Sequence, residues 1–287
     1  MSNDQPWQGR CLIVAAAALW STSGFFAKSP WFDGWDADSR GLLLAFFRSL
    51  FAVLLMVPLI RRPEFRWPMV MMAVCFAAMV WSFMTAMVHG PAANAIWLQY
   101  LSPAWVLVGS VVILKERPLW ADVRMFVFCL TGVGIILAME LRQASTLYAS
   151  MMGVFSGLMF AGVLLSMRAL RDADPVWLIT INHAATVLLL LPSAYQSHQP
   201  IETGAYLALG MFGLLQMSVP YLLFARGLRT APAAEAALLG LIEPLLVPVW
   251  VFVAWHHHPS YLPVPWWTWV GAGFILVGLV QRYAKLR

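Results

Sequence analysis

The sequence predicts an all-α integral membrane protein of ten transmembrane helices, arranged as two inverted five-helix repeats. Three observations predict it. Of 287 residues, 61% are apolar and only 11% charged, and mean hydropathy is +0.76, whereas a soluble domain carries roughly a quarter of its residues as charges. Apolar stretches of about 20 residues, enough to cross a ~30 Å hydrocarbon layer as helix, follow one another with little between them. The third observation is an internal match between residues 91-106 and residues 232-247.

Charged or Pro-rich breaks divide the apolar stretches into windows at residues 9-29, 41-60, 68-89, 91-114, 120-139, 150-170, 175-195, 204-229, 232-255 and 266-283. The first runs from Arg10 to the approach of Lys28. The second follows the acidic link that carries Asp33, Asp36 and Asp38, and stops before Arg61 and Arg62. The third lies between Arg66 and His89, the fourth opens at Pro91 and ends at Lys115-Glu116-Arg117, and the fifth starts at Trp120. The sixth ends toward Arg168 and Arg171, the seventh opens at Pro175 and the eighth closes at Arg226 and Arg229. The ninth opens at Pro232 and runs to the triplet His256-His257-His258, and the tenth leads to Arg282. No link is long enough to join independent domains. The expectation is one membrane domain over 1-287, with repeats at 9-140 and 150-283. The first window has the basic flank of a secretory signal, but its place in the repeat predicts that it is retained.

Lysine and arginine set the orientation, because they concentrate in short cytoplasmic loops. With the N-terminus inside, 14 of the 18 fall on the cytoplasmic side, Lys285 and Arg287 among them. Lys28, Arg40 and Arg142 fall on the other, and Arg48 lies within a span. Both termini are therefore expected in the cytoplasm, and the net charge of +5 reads as a topology signal with no nucleic-acid partner. Cys11, Cys75 and Cys129 are odd in number and sit inside apolar runs, which fits neither a disulfide framework nor a metal site.

The repeat is visible without gaps. PAANAIWLQYLSPAWV at 91-106 and PAAEAALLGLIEPLLV at 232-247 agree at seven of 16 positions, including Pro91/Pro232 and Pro103/Pro244. At nearby offsets Trp20 meets Phe160, and Gly132 and Gly134 meet Gly271 and Gly273. Each half holds five spans, so the second half enters the membrane from the opposite side. Inverted repeats of this kind recur in secondary transporters, where substrate sits near the midplane between the halves.

The chain resembles the EamA-like branch of the drug/metabolite transporter superfamily over nearly its whole length. The resemblance is carried by Ala18-Leu19-Trp20-Ser21 followed by Lys28, by Arg48 in Phe46-Phe47-Arg48, and by Pro91-Ala92-Ala93 with Leu101-Ser102-Pro103. Leu114-Lys115-Glu116-Arg117 is similar to the family's Leu-Gly-Glu-Arg ending, and Ile242-Glu243-Pro244 to its Leu-Glu-Pro. Trp255-His256-His257-His258 departs from the pattern where the second half would repeat the Leu-Gly-Glu ending. The resemblance implies a central cavity lined by helices one to four and six to nine, with five and ten outside. It also implies an exporter of amino acids or related small metabolites in a bacterial inner membrane.

Charges inside the hydrocarbon layer cost at least ~2.5 kcal/mol on insertion scales and so face a cavity or a partner. Glu243 and Arg48 are expected at similar depths. They either pair to fix helix packing or together hold a charged or zwitterionic substrate, with Arg48 taking a carboxylate through its planar fork. Glu235 lies in the first turn of the ninth helix. There it either complements the positive helix end or acts as a cytoplasmic gate or proton site opposite its repeat partner Asn94. Lys28 reads as an interfacial residue that snorkels, with a gating role as the alternative. Asn94, Gln99, Asn182, His183 and Gln216 suit a polar cavity or hydrogen bonds between helices. Trp20, Trp81, Trp97 and Tyr100 suit a substrate with an aromatic or apolar body, or plain packing. Pro103, Pro220, Pro244 and Pro248 are candidate hinges.

No metal, cofactor or catalytic residue is expected. The histidine triplet points three ways and has no acidic or thiolate ligand nearby in sequence, and no phosphate-cradling motif appears. The expected partners are a small-molecule substrate, the lipid bilayer and protons as a coupling ion. The alternative is an intramembrane enzyme or lipid-handling protein, which needs a nucleophile and a base within hydrogen-bond reach.

Overall fold

A computed structural model describes residues 6–142, 144–197 and 199–284; Lys285 and Arg287 lie outside the described residues. Among these residues the regular structure is entirely helical. Nine spans are long and apolar enough to cross a membrane: α1 (Trp7–Ala27), α2 (Ala37–Leu59), α3 (Trp67–His89), α4 (Ala92–Val112), α5 (Trp120–Glu140), α6 (Thr146–Ala169), α7 (Pro175–Gln196), α8 (Thr203–Gly227) and α9 (Glu235–Trp255). The tenth, α10 (Trp266–Tyr283), is an 18-residue helix that packs along α5. Ten crossings return the chain to the face where it began, called here the terminal face and opposed by the far face.

Two boundaries differ from the sequence reading in ways that matter. The acidic link ends earlier, and α2 begins at Ala37 instead of 41. Arg48 therefore lies some 11 residues along, about 17 Å at 1.5 Å per residue, where a start at 41 would place it at ~10 Å. Helix α5 continues to Glu140, which the apolar window left outside.

Four spans are interrupted, and side-chain chemistry accounts for each interruption. In α1 the Ser21 and Thr22 hydroxyls donate to the carbonyls of Ala18 and Leu19, both at 2.6 Å, which competes with the helix ladder. Helices α4 and α9 break at the same place in the duplicated segment, Tyr100–Leu101 and Leu241, two or three residues before Pro103 and Pro244. Proline has no N–H to return to the preceding turn, so carbonyls there are freed. In α4 the freed carbonyl is that of Gln99, four residues before Pro103, and it faces Gly157 of α6, where an added Cβ would lie 3.0 Å from it. In α8 residues Phe212–Ser218 form a π-helical turn just ahead of Pro220.

Packing follows the repeat. Helix α3 lies along α6 and α1 along α8, the inverted equivalent, while α2 meets both α7 and α8. Helices α5 and α10 meet the rest of the bundle mainly through α4, α6 and α9. Their mutual contact is reciprocal. A Cβ on Gly132 would come within 2.4 Å of the Gly271 oxygen and 2.8 Å of Ile275, and a Cβ on Gly271 within 2.6 Å of both the Gly132 oxygen and Ile136. Gly132/Gly271 and Ile136/Ile275 share one sequence offset, so the axis relating the repeats runs through this contact.

Candidate functional site

The middle of the bundle is polar, and Arg48 is its centre. The side chain is 1% exposed, donates to Gln216 Oε1 at 3.0 Å, and holds its guanidinium 5.4 Å from the Phe212 ring centroid. The π turn of α8 positions both partners, since it carries Phe212 and Gln216, and such turns recur at functional sites. Gln216 in turn reaches the Trp20 carbonyl at 3.5 Å. The Trp20 ring packs edge-on against Tyr221 at 5.0 Å and against Phe224 at 5.2 Å. Tyr221 lies within electrostatic reach of both Arg48 and Glu243.

Glu243 follows the break in α9. Tyr100, at the matching break in α4, brings its hydroxyl within 3.0 Å of Glu243 Oε2 and of the Gly240 carbonyl. Trp97 packs on Tyr100 at 6.3 Å and is 1% exposed. On the other side of Arg48, Ser49 Oγ and His183 Nδ1 are 3.2 Å apart, and the imidazole stands edge-on to Phe76 at 4.9 Å. Arg48 and Glu243 form no ion pair within 4.0 Å; each is held by a neutral partner from the other repeat. The static-pair alternative is therefore corrected: the π turn brings Gln216, and not Glu243, against the guanidinium.

Five of the residues singled out from sequence carry a buried polar atom with no partner among the described residues: Trp20 Nε1, Arg48 Nε, Trp97 Nε1, Asn182 Oδ1 and His183 Nε2. Each such atom costs about 1–3 kcal/mol when left bare, so each calls for a further partner such as water or a bound group. The remaining candidates lie elsewhere. Gln99 donates to Ser156 Oγ of α6 at 2.7 Å and links helices. Trp81 is half-buried against the core, and its carbonyl accepts from Thr85 at 3.0 Å. Lys28 donates to the Val88 carbonyl at 3.0 Å, fastening α1 to α3 at the far face. Glu235 takes a two-point ion pair from Arg10 at 2.6 and 3.0 Å, at a terminal-face cavity of about 180 Å³ that Leu238 and Leu239 complete. A larger hollow of about 580 Å³ lies away from the polar centre, between Phe51, Leu54 and Leu55 of α2 and Leu207, Gly210 and Met211 of α8. Its lining is apolar, and Leu54 and Leu207 are more than half exposed, as suits lipid contact.

Residues 7–138 and again 147–281 match the EamA-like transporter family, so the two matches coincide with the two halves of the fold. The chain belongs to the EamA-like transporter family. A relative from Archaeoglobus fulgidus, named as an uncharacterized transporter, is 28% identical over 239 residues, a match that covers 83% of this chain and 84% of the relative. The uncharacterized transporter YwfM of Bacillus subtilis is 25% identical over 295 residues, covering 96% and 93%. A solved crystal structure shares the fold with a TM-score of 0.62 at 15% identity, over 99% of each chain.

Sequence reasoning missed one buried charge of this EamA-like protein. Glu140 is 1% exposed at the far end of α5. Asn94 Nδ2 of α4 donates to its Oε1 at 2.7 Å, Trp267 Nε1 of α10 donates to the same oxygen at 3.1 Å, and the Thr146 hydroxyl of α6 donates to Oε2. Thr268 donates to Asn94 Oδ1, which fixes the amide. Asn94, expected in a polar cavity, is thus committed to a junction of four helices. The available signal was the acidic residue at the edge of the apolar window, beside Arg142, where it reads as loop. Among the described residues no cluster of His, Cys, Asp and Glu could hold a metal ion. His258 instead faces Asp33 at 3.4 Å in the far-face loops.

Proposed function

We propose that this chain is a secondary transporter that works by alternating access and exports amino acids or other small metabolites with an apolar or aromatic body. The observation that carries the reading is the set of buried polar atoms without partners among the described residues, drawn from both repeats and including Arg48 Nε, with aromatic rings packed beside Trp20 and Trp97. In this reading Arg48 takes a carboxylate and Glu243 with Tyr100 an amino or hydroxyl group. Trp20, Trp97, Asn182, His183 and Gln216 complete the site, and Trp81 lines its approach. Glu243 and Glu235 are the groups through which protons couple, and Lys28 fastens the far-face gate. The chain forms one membrane domain over 1-287 with halves 9-140 and 150-283, set in a bacterial inner membrane with the terminal face cytoplasmic.

The two faces differ in a way that supports alternating access. Every residue from 92 to 99 is at most 8% exposed, whereas among the repeat-related residues 235–240 only Ala236 is fully buried. Residues 82–87 of α3 are all buried, while residues 221–226 of α8 are half-buried or exposed. Repeat-related segments packed unequally on opposite faces are what an inverted repeat shows when one face is closed. The site in this reading is approached from the terminal face, between α8 and α9.

The Ser49–His183 contact gives the enzyme alternative its one specific footing, a nucleophile beside a base. Both residues are 0% exposed and the other imidazole nitrogen has no carboxylate to orient it, which favours the transporter. The deciding experiment loads liposomes containing purified protein with a mixed pool of small metabolites and follows efflux by mass spectrometry. Arg48→Gln, Glu243→Gln and Ser49→Ala are run in parallel. Selective efflux of one chemical class, lost in the first two variants, supports the proposal; chemical conversion of a pool component, lost in Ser49→Ala, replaces it with an enzyme.

A further inference from the structure

We propose that Glu140 is the latch of the far-face gate, a positioning residue that acts through Asn94 to hold the outer end of α4 closed. The proposal rests on the alternating-access reading and assigns a task to a residue that lies outside the central site. Three features carry it.

The first is chemical. Glu140 is buried with no cation within 4.0 Å among the described residues, and its charge is met by three neutral donors from α4, α6 and α10. A carboxylate taken out of water is expensive unless its acceptor sites are filled, so this arrangement persists only while the four helix ends stay together. Separating α4 from the others strips the donor that Asn94 supplies and leaves the Thr268 hydroxyl without its acceptor.

The second is mechanical. Helices α5 and α10 are held to each other by the reciprocal Gly132–Gly271 contact and by the Asp122–Arg282 ion pair near the terminal face. They form a scaffold, and Glu140 and Thr268 belong to it. The first turns of α4 are the plug: Ala92 sits against Gly24 of α1, where a Cβ on Gly24 would approach the Ala92 Cβ to 3.3 Å. Opening this seam is required for anything near Glu243 to leave by the far face.

The third is the asymmetry of the repeat. Asn94 corresponds to Glu235, yet Glu235 is held by Arg10 of α1, whose side chain is 49% exposed. With one partner open to water, such a pair is screened and holds only weakly. The far face therefore has a buried latch to the scaffold, and the terminal face a half-open pair to α1 outside the scaffold, which biases the chain toward the far-face-closed arrangement.

The test measures accessibility at both faces. In a background with Cys11→Ser, Cys75→Ala and Cys129→Ala, an Ala92→Cys reporter is labelled with a membrane-impermeant maleimide in spheroplasts, and a Leu238→Cys reporter in inverted vesicles. Adding Glu140→Gln should raise labelling at 92 at least about five-fold and lower it at 238, the reciprocal change of a shifted two-state equilibrium. Unchanged labelling at both positions overturns the latch. A rise at both means a loosened fold and passes the decision to Trp267→Phe, which removes one donor only. That variant should raise labelling at 92 without a rise at 238, and any other result overturns the proposal. Efflux from liposomes is measured on the same variants: a reciprocal labelling change in a parent that moves no solute sinks the transporter reading while leaving the gate, and transport with unmoved labelling does the opposite.

Discussion

The Tyr100 hydroxyl lies 3.0 Å from Glu243 Oε2 and 3.0 Å from the Gly240 carbonyl, joining the break in α4 to the break in α9. A phenol has one proton to donate, so it serves one of these acceptors at a time. Both breaks exist because a proline follows each, at Pro103 and Pro244. The duplicated segment thus makes its own contact across the repeat boundary, with the carboxylate on one side and its donor on the other. Among the described residues Glu243 has no other side-chain hydrogen bond.

Tyr100→Phe removes that donor while keeping the ring against Trp97. Hydrogen bonds to charged groups contribute about 1.5–3 kcal/mol, so efflux of the substrate class from proteoliposomes should fall at least ten-fold. The thermal midpoint should fall by a few degrees without loss of the fold, because the ring and its packing remain. Parental efflux in this variant would reduce the bond to a pin between helices.

Arg48→Lys keeps a positive charge and loses the planar fork. A lysine cannot donate to Gln216 and at the same time offer two parallel N–H groups to a carboxylate. Protection against thermal unfolding by a panel of solutes should therefore weaken at least ten-fold for carboxylates, with no comparable change for their amides. Equal weakening for both would mean that Arg48 holds the helices and does not select the solute.

Gly132 and Gly134 offer a matched pair for the α5–α10 scaffold. A methyl group at 132 would lie 2.4 Å from the Gly271 oxygen, whereas nothing lies within 4 Å of one at 134. Gly132→Ala should destabilise by about 1–3 kcal/mol, the usual cost of overpacking. Gly134→Ala should be neutral or stabilising by up to ~1 kcal/mol, since alanine is the better helix former. Unfolding midpoints in one detergent decide it; equal shifts would contradict the close approach.

Apolar run length was enough to read ten helices, and the Pro-Ala-Ala segment was enough to pair the halves, because both depend on local composition. The residues of the polar centre were legible as types that lipid does not tolerate. Their partners were not. Arg48 meets Gln216 through a π turn, and hydropathy is blind to one extra residue in a helix. Glu140 sits where an apolar window ends, and only the packing of α4, α6 and α10 around it turns a loop-like residue into a buried one. The break at Ser21–Thr22 was hidden for a related reason: two small hydroxyl residues barely lower the apolar average, yet both bond back to the preceding turn.

The π turn itself can be tested by removing a residue. A π turn holds one residue more than the α-helix on either side of it, so deleting Leu215 lets α8 close into a continuous α-helix while its ends stay in place. Gln216 then takes the position vacated by Leu215, about 100° away around the axis at 3.6 residues per turn, and leaves Arg48 without its partner. The variant should fold, because an apolar residue is lost from an apolar span and the helix becomes more regular. It should fail to export, as should Gln216→Leu, which removes the same bond without changing the helix. Parental efflux in the deletion with loss in Gln216→Leu would mean that the amide matters and the turn does not. Parental efflux in both would remove α8 from the site and leave Arg48 to be satisfied by the solute alone.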